Sequence, residues 1–384
     1  MNPSTALPRP RGVLALATVL GVVVLVSLIL DSQLVFSERP LVATTYEAAV
    51  AVVKSSVGQS SSCPAHCPSD PFVQPGMLHW SKNGNDNETR WMPFPTAKYQ
   101  WEVMPDALHL PLNDTIPPEV WQNAPEQYTA RLERHDDAWD WMRNRTVIFV
   151  GELEVEQLCE IIGGRKEPWG GHTGGLCYVE RLDLLVMNWF MYGMVDSEGG
   201  WPEGEAKPAT FENRINEVML PKMREAGFGG RKVSLSVVSS LFWDDAFLSI
   251  ERGRLNKDVG EAHGYLWNEI AWHRGRVREL IQFMRGLFGS DLPLMFRTRQ
   301  LRLQHDHFKV LRIFQLDQGC RAIAKEMAVR LFTWGGKLEG YDKFYDDDQH
   351  YGKGPNTYVF GDMMFFYLHR AITPGCWKCH QWDD

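Results

Sequence analysis

"TVIFVGELEVEQLCEIIGG", residues 146 to 164, decides how the rest of this chain is read. Its apolar run, Val147 to Val150, has strand length and meets Gly151. Val155, Leu158, Ile161 and Ile162 then recur at helical spacing, which predicts a helix over 153–163. A strand that ends on glycine and turns sharply into a helix is a unit of parallel α/β sheets. Such turns often present a nucleophile or a phosphate site. Here the turn carries Glu152 and Leu153. The question is whether it is an active site or the remains of one.

The same alternation continues outward from this unit. Apolar runs of strand length occur at 146–150, 182–190, 233–242, 293–297 and 329–333. Helical patterns occupy 153–163, 211–226, 262–289, 315–328 and 357–370. In 262–289 the stripe is Leu266, Ile270, Val277, Ile281 and Met284. Strands alternating with helices predict an α/β domain with a doubly wound, mainly parallel five-stranded sheet of flavodoxin-like order. Ligands of such sheets bind outside the carboxyl ends of the strands. That places candidate loops at Gly151, 191–196, 239–245 and 343–352. No internal repeat is visible.

The N-terminus carries a different signal. Gly12 to Leu30 reads GVLALATVLGVVVLVSLIL, 19 residues without a charge. That is close to the ~20 a helix needs to cross a bilayer. Arg9 and Arg11 precede it, which favours a cytoplasmic N-terminus. A cleaved signal peptide is the alternative, although its apolar core is usually shorter. The expected organisation is a cytoplasmic tail (1–11), a type II signal anchor (12–30) and a stalk (31–75) containing SSVGQSSS. An irregular extension (76–140) follows, then the main domain (141–372) and a cysteine-containing tail (373–384). The body of the protein would then lie in the secretory lumen or at the cell surface. Three sequons, at Asn87, Asn113 and Asn144, suit that side of the membrane.

All seven cysteines fall in the same oxidising compartment, so disulfides are expected with one thiol left over. Cys159 and Cys177 flank the glycine-rich loop GGRKEPWGGHTGG and are expected to pair. Cys63 with Cys67, and Cys376 with Cys379, are candidate local bridges, although spacing alone does not settle connectivity. The chain has 384 residues with 40 basic and 48 acidic side chains, a net charge of -8. No basic stripe stands out, so nucleic acid is not an expected partner.

"YDDDQHYG" (345–352) follows the last predicted strand and precedes the last helix. The three-residue spacing of Asp347 and His350 lets a carboxylate orient an imidazole as a general base. The plainer reading is a solvated acidic loop with an incidental histidine. Here the chain resembles the SGNH (GDSL-type) hydrolases, and more narrowly the PC-esterase branch. That branch includes polysaccharide O-acetyltransferases and acetylesterases. Several segments are similar to membrane-anchored fungal proteins of this type: "VIFVG", "LCEIIGG", "CYVERLDLLVMNWFMYGM", "SLFWD", "FRTRQL", "FQLDQGCRAIAKE" and "YVFGDMM". The resemblance spans roughly 140 to 372, and the order of the motifs is its specific part.

The family's opening motif is Gly-Asp-Ser, with serine as nucleophile. Gly151 matches, Glu152 replaces the aspartate, and Leu153 stands where the serine should be. Asp347 and His350 match the closing pair, and the resemblance makes Gly193 a candidate oxyanion-hole residue. The family's asparagine after the third strand has no clear match; "SSLFWDD" (239–245) occupies that place. Leucine has no nucleophilic atom and forms no acyl-enzyme. Glu152 or Glu154 could serve as a base for water, or only favour a helix N-terminus. Ser239 or Ser240 could supply a displaced nucleophile, with nothing but their loop in support.

Lesser signals have plainer readings. "CWKCH" (376–380) has the form of a haem attachment site and equally that of a disulfide beside a histidine. "HDH" (305–307) offers too few ligands for a metal. No cofactor or metal is expected. The 15 tryptophans suit core packing more often than sugar stacking, and Trp169 is the candidate ligand contact among them. Three functions compete. The favoured one is a non-catalytic SGNH-like domain that binds glycan or a partner enzyme. The second is an acetylesterase or O-acetyltransferase of acetylated polysaccharide still using Asp347 and His350. The third is a structural surface protein whose carboxyl-edge cleft is filled by aromatic side chains.

Overall fold

The computed structural model describes residues 63–80, 85–94, 127–135, 137–151, 155–170, 172–199, 201, 207–239, 241–255, 263–300, 307–344 and 351–379. The proposed anchor at 12–30 lies outside them. Among the described residues no helix is long and apolar enough to cross a membrane.

A small antiparallel pair comes first, β1 (Gly76–His79) with β2 (Arg90–Pro93), and then α1 (Tyr128–Glu133). The main sheet starts with β3 (Thr146–Val150), followed by α2 (Val155–Ile161). Next come β4 (Arg165–Pro168), β5 (Gly174–Val179) and β6 (Leu184–Trp189). A helical segment over 211–225, with a π-helical turn at Ile215–Met219, leads to β7 (Leu235–Val238). The chain continues through α3 (Leu241–Arg254), α4 (Trp267–Phe288), β8 (Leu294–Arg297), α5 (His307–Glu326), β9 (Arg330–Phe332) and α6 (Pro355–Ile372).

The seven strands lie in the order β4-β5-β6-β3-β7-β8-β9. The stretch from β6 to β9 is parallel throughout, in flavodoxin-like order, and contains all five expected strands. Two further strands correct the five-stranded expectation. β4 and β5 form an antiparallel hairpin that extends the β6 edge, so GGRKEPWGGHTGG is largely a hairpin and not a loop. Its Gly, Lys, Glu and Pro residues have little strand preference. Pairing to β6, not local propensity, makes them strands. A second correction concerns "SSLFWDD". The third parallel strand ends at Val238, and Leu241 already opens α3, whose buried Leu241, Phe242, Phe247 and Leu248 follow helical periodicity. α5 also begins at His307, earlier than the expected 315.

Alternate residues of the strands face opposite layers. Val147, Phe149, Leu184, Val186, Leu235 and Val237 pack with α2 and α6 on the first face. Ile148, Val150, Leu185, Met187, Leu294 and Phe296 pack with 211–225, α3, α4 and α5 on the second. α6 is buried along almost its whole length. Gly361 permits the close approach of α1, because a Cβ there would stand 2.2 Å from Thr129 Oγ1.

The two ends of the described chain are tied together. Disulfides join Cys63 to Cys379 and Cys67 to Cys376, which overturns the local pairing of Cys63 with Cys67 and of Cys376 with Cys379. Each pair sits within one turn, so its two thiols leave on the same side and meet the other pair. Cys159 and Cys177 pair as expected and pin α2 to β5. The disulfides also remove the haem reading of "CWKCH", since neither sulfur is a free thiol. Residues 63–75, read as the end of the stalk, are part of the body: Phe72 is buried, and buried Asp70 accepts from Tyr367 Oη at 3.2 Å.

Candidate functional site at the carboxyl edge of the sheet

β3 lies between β6 and β7. The helix after β3 covers the first face and the helix after β7 covers the second. Their divergence makes this the point where the winding of the sheet reverses, and a crevice forms there. Gly151 sits at that point with φ +138°. Its N–H donates to Trp189 O at 2.8 Å, and a Cβ would stand 1.9 Å from Ser239 O. The glycine is therefore demanded by backbone sterics, whatever chemistry the turn performs. Gly151→Ala is expected to lose about 2–3 kcal/mol, from left-handed strain and backbone overlap together. A urea titration showing no loss would mean the turn relaxes freely.

Glu152, Leu153, Ser240, Asp347 and His350 lie outside the described residues. The chain resumes at Tyr351, whose carbonyl accepts from Gln157 Nε2 of α2 at 2.8 Å. Lys353 Nζ reaches Glu160 of α2 at 2.8 Å. The segment after 350 is thus anchored on the helix that follows the Gly151 turn.

Gly193 has φ +84° and abuts α3, since a Cβ would meet Asp244 Oδ1 at 2.8 Å and the Trp243 backbone at 2.9 Å. The next amide, Met194 N, donates to Asp244 Oδ1 at 2.7 Å. Asp244 Oδ2 lies 2.7 Å from His273 Nε2, and both side chains are buried. A buried carboxylate–imidazole pair therefore fixes the Gly193 turn, which the resemblance makes a candidate oxyanion hole, and it consumes the Met194 amide. The second-face side of this edge is packed with aromatics. Trp243 lies 5.1 Å from Phe190 and 5.3 Å from Tyr192, and Trp201 lies 5.3 Å from Tyr192. Arg214 fills the space beneath, donating from Nε to Phe190 O at 2.7 Å. Burial pushes its pKa below the usual guanidinium range.

The first-face side is open. A pocket with about 380 Å³ of free space, mouth included, lies against the start of α2. Its walls include Val155 and Glu156 of α2, Lys166 and Pro168 of β4, and Asn188 of β6. Pro168, Gly175 and Asn188 are opposed across three adjacent strands, and a Cβ on Gly175 would stand 2.9 Å from Glu167 O and 3.2 Å from Pro168 Cα, so the glycine permits the close approach of β4. Asn188 is 3% exposed, and neither end of its amide has a hydrogen-bond partner among the described residues.

Lys166 Nζ binds Glu160 at 2.7 Å and Glu156 at 3.1 Å, and these hydrogen bonds raise its pKa. It is held as an ammonium and is no nucleophile. Hydrogen bonds from Lys166 and Lys353 take Glu160 down to about 2. None of the described lining residues offers a hydroxyl, thiol or imidazole. Trp169 does not line this pocket; it packs against the second-face cluster. The described group nearest to a metal-ligand set, His66 with Cys67 and Cys376, has both sulfurs in one disulfide.

Asn188, Asp244 and His273 were not singled out by sequence reasoning. Asn188 left a signal, a lone polar residue inside the apolar run "LLVMNWF" of a central strand. The contact between Asp244 and His273 joins residues 29 apart on two helices and has no local pattern.

Comparison with protein-family models and with curated proteins gives no match. Among solved structures, a GDSL-like lipase candidate from Parabacteroides merdae aligns at 8% identity, over 59% of this chain and 96% of that one, with a TM-score of 0.34. An α/β hydrolase enzyme from the metagenome of Lake Arreo, Spain, aligns at 12% identity, over 59% and 97%, with a TM-score of 0.30. An acetylxylan esterase from Geobacillus stearothermophilus aligns at 12% identity, over 59% and 94%, with a TM-score of 0.32. Scores this low carry no argument, and the architecture rests on the strand order described above.

Proposed function

We propose that this chain is a membrane-anchored SGNH-like protein of the PC-esterase type that binds glycan and has lost its ester chemistry. Leu153 carries the reading: at the turn after Gly151, where the resemblance requires serine, the side chain has no atom that can attack an ester. The pocket at the start of α2 suits a binding role, and none of its described lining residues supplies a nucleophile. Three disulfides suit an oxidising lumen, and Asn87 and Asn144 are exposed as sequon asparagines must be. Anchoring through residues 12–30 and residence in the Golgi lumen or at the cell surface complete the proposal.

The test is acetylesterase and acetyl-transfer assays on acetylated xylan, mannan and chitin oligomers. The full-length wild type is expected to stay at or below the ~10³–10⁴-fold residual acceleration that binding and an oxyanion hole supply without a nucleophile. Leu153→Ser is expected to gain a rate that Leu153→Ser/His350→Ala loses. Robust wild-type turnover abolished by His350→Ala would instead establish the second reading, an active esterase or acetyltransferase in which Asp347 and His350 activate water or another nucleophile.

A further inference from the structure

We infer that the cysteine cluster joining the two ends of the described chain becomes a zinc site when its two disulfides are reduced, with His66, Cys67 and Cys376 as ligands and a thiolate of the Cys63–Cys379 pair in the fourth place. The inference stands apart from the glycan-binding reading.

Residue types and spacing fit the metal. Three residues separate Cys63 from Cys67, and two separate Cys376 from Cys379. Two short cysteine pairs far apart in a chain are the pattern of a tetrahedral structural zinc site. The fold packs all four cysteines in one cluster. A ring nitrogen of His66, Cys67 Sγ and Cys376 Sγ lie within 4.8 Å of one another. Zinc bonds of about 2.3 Å to sulfur and about 2.0 Å to nitrogen need ligand atoms about 3.5–3.8 Å apart. Freed from each other, the two sulfurs reach that spacing by side-chain rotation alone.

His66 is already oriented for ligation. Its Nε2 lies 3.2 Å from Pro374 O. A carbonyl only accepts, so Nε2 carries the proton and Nδ1 keeps the lone pair. Metal-ligating histidines are held in this way, by a carbonyl on the other ring nitrogen. Charge suits the site as well. Three thiolates around one Zn²⁺ leave one negative charge, and the guanidiniums of buried Arg330 and Arg370 both donate to Cys379 O. Cationic neighbours favour the thiolate form.

The reductant is a dithiol. Each disulfide takes two electrons and two protons from it and becomes two thiols, while the dithiol closes to its own cyclic disulfide. Zn²⁺ then displaces one proton from each of three thiols, and neutral His66 adds its lone pair without losing a proton. The metal holds the two ends together where the covalent bonds have gone.

The experiment is titration of the full-length protein, reduced with dithiothreitol and freed of it without air, with Co²⁺ as a spectroscopic stand-in for Zn²⁺. The thiolate-to-cobalt charge-transfer band and the visible bands of tetrahedral cobalt report binding. The reduced chain is expected to bind one Co²⁺, displaceable by Zn²⁺, and the oxidised chain none. Zn²⁺ at a hundredfold its Kd should raise the Tm of the reduced protein by about 5 °C or more. Cys159→Ser/Cys177→Ser should keep the bands, and Cys67→Ser/Cys376→Ser should lose them. His66→Ala leaves every disulfide in place and should weaken Co²⁺ by about tenfold or more. If the cysteine variants fold poorly, the His66→Ala result decides. No uptake by the reduced chain overturns the site, and so does undiminished uptake by His66→Ala or by Cys67→Ser/Cys376→Ser. Uptake that leaves the Tm unchanged, as binding to an unfolded chain would, also overturns it. Precipitation of the reduced chain with Zn²⁺ present does the same.

Discussion

Replacing Cys63, Cys67, Cys376 and Cys379 together with serine is expected to cost about 8 kcal/mol of stability, whereas removing either bonded pair alone costs about 2–3 kcal/mol. The two disulfides span 316 and 309 residues, so they close nearly the same loop. Closing so long a loop removes much entropy from the unfolded chain, and the second bond removes only that of the short loop the first leaves between the two pairs. Urea midpoints of the three variants at constant m measure this directly. Single-pair losses that add up to the loss of the fourfold variant would show that the bonds act through local packing and not through the shared loop.

The clamp also has a polar interior. Arg330 donates from Nε to Trp377 O at 2.7 Å, and Arg370 from Nη1 to Pro68 O at 2.8 Å. Both guanidiniums also donate to Cys379 O. Asp70 accepts from Phe72 N at 3.0 Å and lies 3.4 Å from Arg330 Nη1. Burial raises the Asp70 pKa against the pull of these arginines. The network satisfies charges brought inward by both ends of the chain. It therefore depends on the ends remaining together.

The second large effect is expected from Asp362. This α6 carboxylate accepts from Thr129 N of α1 at 2.8 Å, but its other oxygen has no partner among the described residues. Burial raises its pKa from 3.8 to about 7, against the opposing pull of the α1 amides and Arg90. A carboxyl that titrates higher in the folded state than in the unfolded state favours folding only while it stays protonated. Its cost is absent below pH 3.8, grows as pH rises toward 7, and is complete above the folded value. The gap corresponds to about 4 kcal/mol above pH 7. Asp362→Asn keeps the acceptor for Thr129 and removes the charge. Its stability should match wild type at pH 4, exceed it by about 2–4 kcal/mol at pH 8, and lose most of the slope between. Parallel curves for the two proteins would place the pH dependence on another group.

The parallel sheet was legible because buried parallel strands are continuous apolar runs, and five such runs stand out between helical patterns. The Gly151 turn was legible for a related reason, since a glycine at a strand-to-helix junction marks strained backbone. The β4–β5 hairpin was not legible, because edge strand β4 exposes its side chains and β5 opens on two glycines, so neither displays apolar alternation. The start of α3 was missed because "SSLFWDD" continues the apolar run of β7 and changes period only after Val238. The terminal disulfides were misassigned because nearness in sequence is the only clue a sequence offers, and four cysteines allow three pairings.

What the sequence alone determined is the layered α/β class and the position of the switch-point turn, with the leucine that the resemblance sets against the family's serine. These depend on local periodicity and on the identity of single residues. What only the tertiary structure decided is which side of that turn is open. Aromatic side chains from β6, α3 and their loops fill the second face, while a pocket lined by the start of α2 and by β4, β5 and β6 remains on the first. Both outcomes arise from contacts between residues far apart in the chain, set by strand register and the path of the crossovers. That is why the asparagine at the floor of the pocket reads, in sequence, as one polar letter in an apolar strand.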